Sequence, residues 1–358
     1  MNQTFSCINL IYIYPQMKKT GFIGFIQLAI LLLSPLCTFG QLDTEIDSNG
    51  YFVKMNNTLN LRLDLDNDVR SFEFNATNDT YSILPNTNGR IAIAYNYRFL
   101  TFKIGFSPKF LASGDSQEKG KTSVFRLTLD MFVKDFYQTF DYDQTKGYYI
   151  DGTEGSFPGL NPSEGEFILL PDMRTFSITG ITRYRLNENY SFKALVNQTE
   201  IQTKSAGSFV PELRYGFWQI KQPSGPEDIE SFYVIANGGY HYTFVISKNW
   251  YANLGLSTGL GIEFNKIDSR LGELESTERT TSAVFDVNTA IGLGYNSRRF
   301  HAGTALIGSA ITRNDESVIK FDNVRGYFKI FVGYRFDPPR ALVSAMDWVE
   351  SKNPFAKK

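Results

Sequence analysis

The chain has 358 residues, 42% hydrophobic, 15% aromatic and 20% charged, with a formal net charge of −1 and a mean hydropathy of −0.23. That polar average excludes a bundle of transmembrane helices, each of which needs about 20 consecutive apolar residues, and the near-neutral charge excludes the electrostatic footprint of a nucleic-acid binder. The 31 Phe and 20 Tyr stand against 2 His and 2 Cys, too little for a zinc site or a Cys/His nucleophile, so neither metal nor cofactor is expected.

First in chain order comes the most hydrophobic stretch, Gly21 to Leu33, preceded by Lys18 and Lys19 and uncharged up to Asp43. A basic start, a short apolar core and small residues near its end describe a secretory signal peptide. Thr38 and Gly40 place the cut before Gln41, so residues 1–40 are expected to leave, and Met17 is an alternative start. The competing readings are an uncleaved membrane anchor, for which the core is short, and a lipid anchor at Cys37, for which Leu36 is the wrong neighbour. Cleavage removes Cys7, Cys37 and two lysines, leaving a cysteine-free exported chain with 34 basic and 37 acidic side chains and no disulfide framework. Residues 41–56 then form a periplasmic lead.

From Leu59 onward the period is two, not 3.6. Leu59, Leu61, Leu63 and Leu65 alternate with Asn60, Arg62, Asp64 and Asp66, and Phe125, Leu127 and Leu129 with Arg126, Thr128 and Asp130. Trp250 to Phe264 and Ala283 to Tyr295 repeat the pattern with glycine, asparagine and acids on the second face. Val324 to Phe336 does so against Arg325, Lys329 and Arg335. These runs match the ~9–11 tilted residues that cross a bilayer as β-structure. Tight turns at Phe99–Leu100, Val133–Lys134, Asn187–Asn189, Ser247–Asn249 and Asn296–Arg298 alternate with long polar connections at 67–88, 111–120, 150–172, 221–230, 266–279 and 313–319.

The expected fold is therefore all-β: an up-and-down antiparallel transmembrane β-barrel over 57–336, with short periplasmic turns and long outer loops. Its twelve strands fall near 57–66, 89–98, 101–110, 121–132, 135–149, 173–186, 190–220, 231–246, 250–265, 280–295, 299–313 and 320–336. Segment 190–220 is too long for one crossing. It is read as a bulged strand with an extended rim, the alternatives being an outer loop or bend, or a stretch that enters the lumen. Pro338 and Pro339 end the last strand. Residues 337–358 are read as a loosely ordered periplasmic tail, in which Leu342, Met346 and Val349 share one face of a short helix should one form.

On this register Arg62, Arg98, Lys103, Arg126, Arg183, Arg185, Lys193, Arg325, Lys329 and Arg335 face the lumen, against Asp64, Asp130, Glu263 and Asp286. A basic ring favours anions in a water-filled pore. The competing reading is a salt-bridged, largely filled interior, because about twelve strands lie between filled eight-stranded barrels and open porins. His241 and His301 fall on the same inner face near the periplasmic end. As a pair they suit lumenal acid–base chemistry; as single hydrogen-bonded residues, the favoured reading, they need no partner at catalytic spacing. Inward Gly255, Gly259, Gly261, Gly292, Gly294, Gly303 and Gly308 either leave room for a ligand or admit neighbouring groups. Aromatics near strand ends, among them Tyr95, Tyr97, Trp250, Tyr251, Tyr295 and Phe300, suit girdles at the membrane–water boundary. The acidic loop Asp151-Gly152-Thr153-Glu154-Gly155 lacks the spacing of a calcium loop.

Further stretches are Leu84-Pro85-Asn86, Lys146-Gly147-Tyr148-Tyr149, Pro171-Asp172-Met173-Arg174, Asn197 to Phe209 and Gly238-Gly239-Tyr240-His241-Tyr242. With these, residues 59–336 resemble a Bacteroidota family of outer-membrane barrels, the domain of unknown function DUF4421. The most specific part runs from Gln202 through Ser205, Ala206 and Gly207 to Ser208. The resemblance implies the outer membrane, reached by Sec-type export, and brings no activity and no catalytic residues. Lys329, Tyr334 and Phe336 look like the terminal strand that the barrel-assembly machinery recognises, although Phe331 stands where that pattern has glycine. Expected partners are outer-membrane lipids and that machinery, with no nucleic acid. The expected function is a non-catalytic channel or surface barrel. The alternatives are an envelope lipid-modifying enzyme on the barrel wall and a structural scaffold.

Overall fold

The alternating segments become one continuous wall in the computed structural model, which describes residues 45–46, 49–55, 57–68, 71–76, 79–151, 167–223, 225, 227–271, 274–314, 319–321 and 324–352. The signal-peptide segment 1–40 and most of the acidic loop, 152–155, fall outside the described residues. The wall strands are β1 (Leu59–Asp66), β2 (Arg90–Tyr97), β3 (Leu100–Phe106), β4 (Ser123–Val133), β5 (Phe136–Asp151), β6 (Ile168–Tyr184), β7 (Ala206–Lys221), β8 (Glu227–Val245), β9 (Trp250–Leu271), β10 (Leu274–Asn296), β11 (Phe300–Arg313) and β12 (Val324–Phe336). Each pairs antiparallel with the next, and β12 returns to β1 from Lys329↔Asp66 to Phe336↔Leu59. Closure leaves no wall strand with an open edge, which is the condition for placing β-backbone in hydrocarbon. The fold is the expected twelve-stranded, up-and-down antiparallel β-barrel.

Outward side chains form an apolar belt that a soluble sandwich would bury: Ile93, Phe102 and Phe125 on the short side, Leu254, Leu256 and Leu260 on β9, Phe285 and Ile291 on β10. Inward glycines do not leave room for a ligand. A Cβ at Gly294 would lie 2.5 Å from the Tyr251 ring, and one at Gly255 2.4 Å from His241 Nδ1, so these two admit rings from the neighbouring strand, while Gly259 and Gly292 admit the side chains of Asn237 and Asn253. Tyr97 and Tyr251 are buried rather than part of the outer girdle.

The wall is unequal in height. Strands β1–β4 run 7–11 residues and β5–β10 run 16–23. At about 3.3 Å per residue the longest are about 70 Å, roughly twice what a tilted crossing needs. The excess has inverted chemistry. Phe217, Phe232 and Phe264 sit side by side on the outer face of β7, β8 and β9, and two residues further out the same face carries Gln219, Glu230 and Lys266. The inner face of that outer section turns apolar, with Ile220, Ile229 and Ile267 in one row.

Two loops complete this section. Strand Phe72–Ala76 pairs with Asp79–Leu84 in a hairpin, which joins β5 at Ile83↔Ile150 and Ile319–Phe321 on its other side. Phe72 enters a buried cluster with Tyr148, Met173, Ile220 and Ile229, its ring 5.9 Å from that of Tyr148. The outer mouth is thus covered by a cap with an apolar core.

Candidate functional site: the closed lumen

Residues 185–205 correct the sequence reading. They are not part of a bulged strand with an extended rim. β6 and β7 pair directly, from Arg174↔Lys221 to Arg183↔Glu212, so the residues between them leave the wall whole and fold into the lumen at its turn end. Asn187–Asn189, expected as a tight turn, opens this plug. A five-residue helix, α1 (Phe192–Val196), is capped by Ser191 Oγ, which accepts from Ala194 N at 3.0 Å and donates to Glu200 Oε2 at 2.5 Å. Glu200–Gln202 then pairs with Phe52–Lys54 of the N-terminal lead. On one side the plug is anchored by apolar contact: Tyr190 and Phe192 pack with Phe132, Tyr137, Ala206 and Val210.

On the other side it is held by polar wall residues. Asn60 Nδ2 donates to Asn197 O at 2.6 Å, Arg62 to Val196 O and to Gln198 Oε1, and Asn296 Nδ2 to Glu200 O at 3.0 Å. Arg335 is fully buried and donates to Gln198 O, Ser297 O, Arg298 O and Asn296 Oδ1. These acceptors are all neutral, an expensive setting for a guanidinium unless every donor is used. His301 is buried too, with Nε2 at 2.6 Å from Asn60 Oδ1. Because Asn60 turns its amide nitrogen to Asn197 O, its oxygen faces the ring, and His301 holds the Nε2–H tautomer. Gln198 itself takes a φ of 50°, a left-handed conformation costly for a residue with a Cβ.

The family-motif residues are the hinge of this arrangement. Gln202 Oε1 accepts from Ser191 N, while Nε2 donates to Asn189 O, Lys204 O and Tyr51 O. Ser205 Oγ accepts from Val245 N, Ala206 joins the apolar anchor, and Gly207 O accepts from Asn187 Nδ2. Ser208 Oγ accepts from Leu186 N and Asn187 N and donates to Phe209 O. It lies directly across the ladder from His241, yet its proton and lone pairs are already committed, so the two do not form a nucleophile–base pair.

Most lumenal charges are paired rather than arrayed as a basic ring. Arg62 meets Asp64 at 2.6 Å, Arg90 meets Asp66 at 2.8 Å, and Arg126 meets Asp68 at 2.6 Å as well as Asp141. Arg183 bonds Glu212 at 2.7 Å, Arg214 lies 3.2 Å from Asp286, and Glu263 accepts from Arg313, Trp218 and Ser231. Asp130 accepts from Tyr137 and Thr139 at 3.1 and 2.8 Å. Three expected lumen residues lie elsewhere. Arg98 sits in the β2–β3 turn against Asp347 and Glu350; Arg185, beyond the end of β6, binds Asp135 and Tyr190 O; Lys193 belongs to the plug and faces Glu200 at 3.7 Å. Arg325 lies across from Ser309 in the ladder, and its side chain is outside the described part. Lys329 faces inward over the Phe331 ring, and Tyr334 and Phe336 close the wall with ring centroids 4.9 Å apart.

Sequence reasoning missed Asn296, Arg90, Asp68, Asp141, Asp143 and Glu212 as lumen residues. The available signal was the same alternation carried further along each strand, which places these acids in the inward rows.

A family model for a domain of unknown function, DUF4421, matches residues 45–336. No curated protein matches the chain. Among solved structures it is similar to in-vitro folded OmpT of Vibrio cholerae, at 10% identity over 78% of this chain and 96% of that one, TM-score 0.33. It is similar to the outer membrane protease OmpT from Escherichia coli at 8% identity over 82% and 97%, TM-score 0.31. A KdgM porin in complex with disordered oligogalacturonate shows 6% identity over 79% and 99%, TM-score 0.28.

Proposed function

The chain belongs to the DUF4421 family, and we propose that within it this protein is a non-catalytic surface barrel of the outer membrane, its lumen shut at rest. The observation that carries this reading is the double closure: a hydrogen-bonded plug at the turn end and an apolar cap at the loop end, with paired charges between them. Such a barrel is a rigid pedestal that holds its outer section above the lipid, where solvent or partners meet it. His241 and His301 serve packing and hydrogen bonding in this reading. A gated channel is the second reading, favoured by one feature: the β6–β7 ladder is complete without the plug, so the plug can leave without opening the wall.

Planar-bilayer recording of the refolded full chain tests both. The pedestal reading expects no steady current from the wild type across a range of salts. It expects stepwise current only when both closures are opened together, in a variant in which residues 189–203 are replaced by a short Gly-Ser link and Phe72 by alanine. A steady wild-type conductance overturns it, and ligand- or voltage-dependent steps from the wild type establish the gated channel in its place.

A further inference from the structure

The chain does not end at the wall. Asp337, Pro338 and Pro339 link Phe336, the last residue of β12, to a second helix, α2 (Arg340–Lys352). Three residues reach at most about 10 Å, so α2 begins at the level of the aromatic band in which Tyr334 and Phe336 terminate the strand. Its far half is held by Arg98 in the β2–β3 turn, whose Nη1 lies 2.7 Å from Asp347 and 2.8 Å from Glu350. Because β12, β1 and β2 are consecutive in the wall, these two fixed points make α2 run along the turn-end rim, past the end of β1.

The helix is apolar on two sides. At 100° per residue Val343, Met346, Asp347 and Glu350 share one side; Met346 is buried, and both acids are engaged by Arg98. The opposite side carries Ala341, Ala345, Trp348, Val349 and, at the helix end, Lys352, with Trp348 65% exposed. A tryptophan directed away from the body on a rim helix is out of place in water, whereas its ring suits the membrane–water interface. With both acids engaged, the exposed ends of the helix present Arg340 and Lys352, the sign that anionic lipid headgroups attract.

We infer that α2 is an interfacial helix lying in the periplasmic leaflet of the outer membrane, with Trp348 and Val349 entering the lipid and Arg340 and Lys352 among anionic headgroups. Arg98 is the clamp that holds the helix in the membrane plane. The inference needs the barrel in the membrane but is independent of whether the lumen conducts.

Emission from Trp348 is the direct test. The full chain and a Trp348→Phe variant are each reconstituted into phosphatidylethanolamine–phosphatidylglycerol vesicles, with plain or brominated acyl chains. The wild-type-minus-variant spectrum isolates Trp348 from Trp218 and Trp250. Heat-modifiable gel migration confirms that the variant, changed only at an exposed side chain, still forms the barrel. Brominated lipid is expected to remove most of the difference emission, while aqueous iodide leaves it intact. Quenching by iodide with no effect of bromine would place Trp348 in water and overturn the inference. Protection from both quenchers would mean that protein, such as a second copy of the chain, covers α2, and would overturn it equally.

Discussion

The two ends of the lumen are closed by opposite chemistry. At the turn end the plug meets wall side chains that must be polar, because the same strands turn their apolar face to lipid. It is therefore seated through hydrogen bonds from Asn60, Arg62, Asn296 and Arg335, with an apolar anchor only on the β4, β5 and β7 side. At the loop end the strands have left the lipid, Gln219, Glu230 and Lys266 face water, and the inner face is free to become a core around Phe72 and Ile229. What decides the chemistry of each closure is the solvent on the far side of the wall. A seal at membrane level has to satisfy polar groups one by one, whereas a seal above it gains from burial alone.

The largest expected effect comes from taking away the most heavily bonded of those polar groups. Arg335→Met leaves Gln198 O and Asn296 Oδ1 buried with the charged donor gone. The plug's seat should weaken by about 3 kcal/mol, about a hundredfold in its seating equilibrium. In a chain lacking Cys7 and Cys37 and carrying Leu195→Cys, labelling by an aqueous maleimide should accelerate accordingly. Unchanged labelling would mean that the apolar anchor alone seats the plug.

A spatially separate effect of similar size is expected at the cap. Phe72→Ala removes a ring from the outer cluster at a cost of about 3 kcal/mol. Protease added to intact cells should then cut the 72–84 hairpin faster, while the labelling of Leu195→Cys and the absence of current stay as they were. Current steps from Phe72→Ala with the plug intact would reverse the assignment of which end seals.

The barrel and its strand count were legible because alternation is a local property: residues i and i+2 share a face whatever the rest of the chain does. The bounds of the seventh strand and the outer extensions of β8, β9 and β10 were not. The closures were much less so. Nothing in the spacing of Asn60, Asn197 and Gln198 brings them together; Asn60 and Asn197 are 137 residues apart and meet only because β1 lies across the lumen from the β6–β7 connection. The run from Gln202 to Ser208 stood out, yet its role as the plug's hinge depends on Ser191, Asn189 and Tyr51 arriving at Gln202 from elsewhere. The choice between a basic ring and a salt-bridged interior stayed open for a related reason: a single strand shows its own charges, whereas Arg126 finds Asp68 and Arg214 finds Asp286 only across the closed wall. Arg98 was misplaced by the shortness of its turn, since a residue at a strand's last step has no inward face to occupy.

The finest test of the polar seal sits at Gln198, where side chain and backbone can be separated. Its side chain accepts from Arg62 and donates to Leu195 O, both at 2.6 Å, while its carbonyl receives Arg335 and its φ is 50°. Gln198→Ala and Gln198→Gly lose the same side-chain bonds and keep the same carbonyl. They differ only in that alanine retains the left-handed strain and glycine does not, a difference of about 1 kcal/mol. Both should label faster than the parent at Leu195→Cys, with alanine ahead of glycine by about fivefold. Equal rates would mean that the plug settles into another backbone conformation once the side chain is gone. Its seat would then be set by Asn60, Asn296 and Arg335 together, and not by the geometry of this one residue.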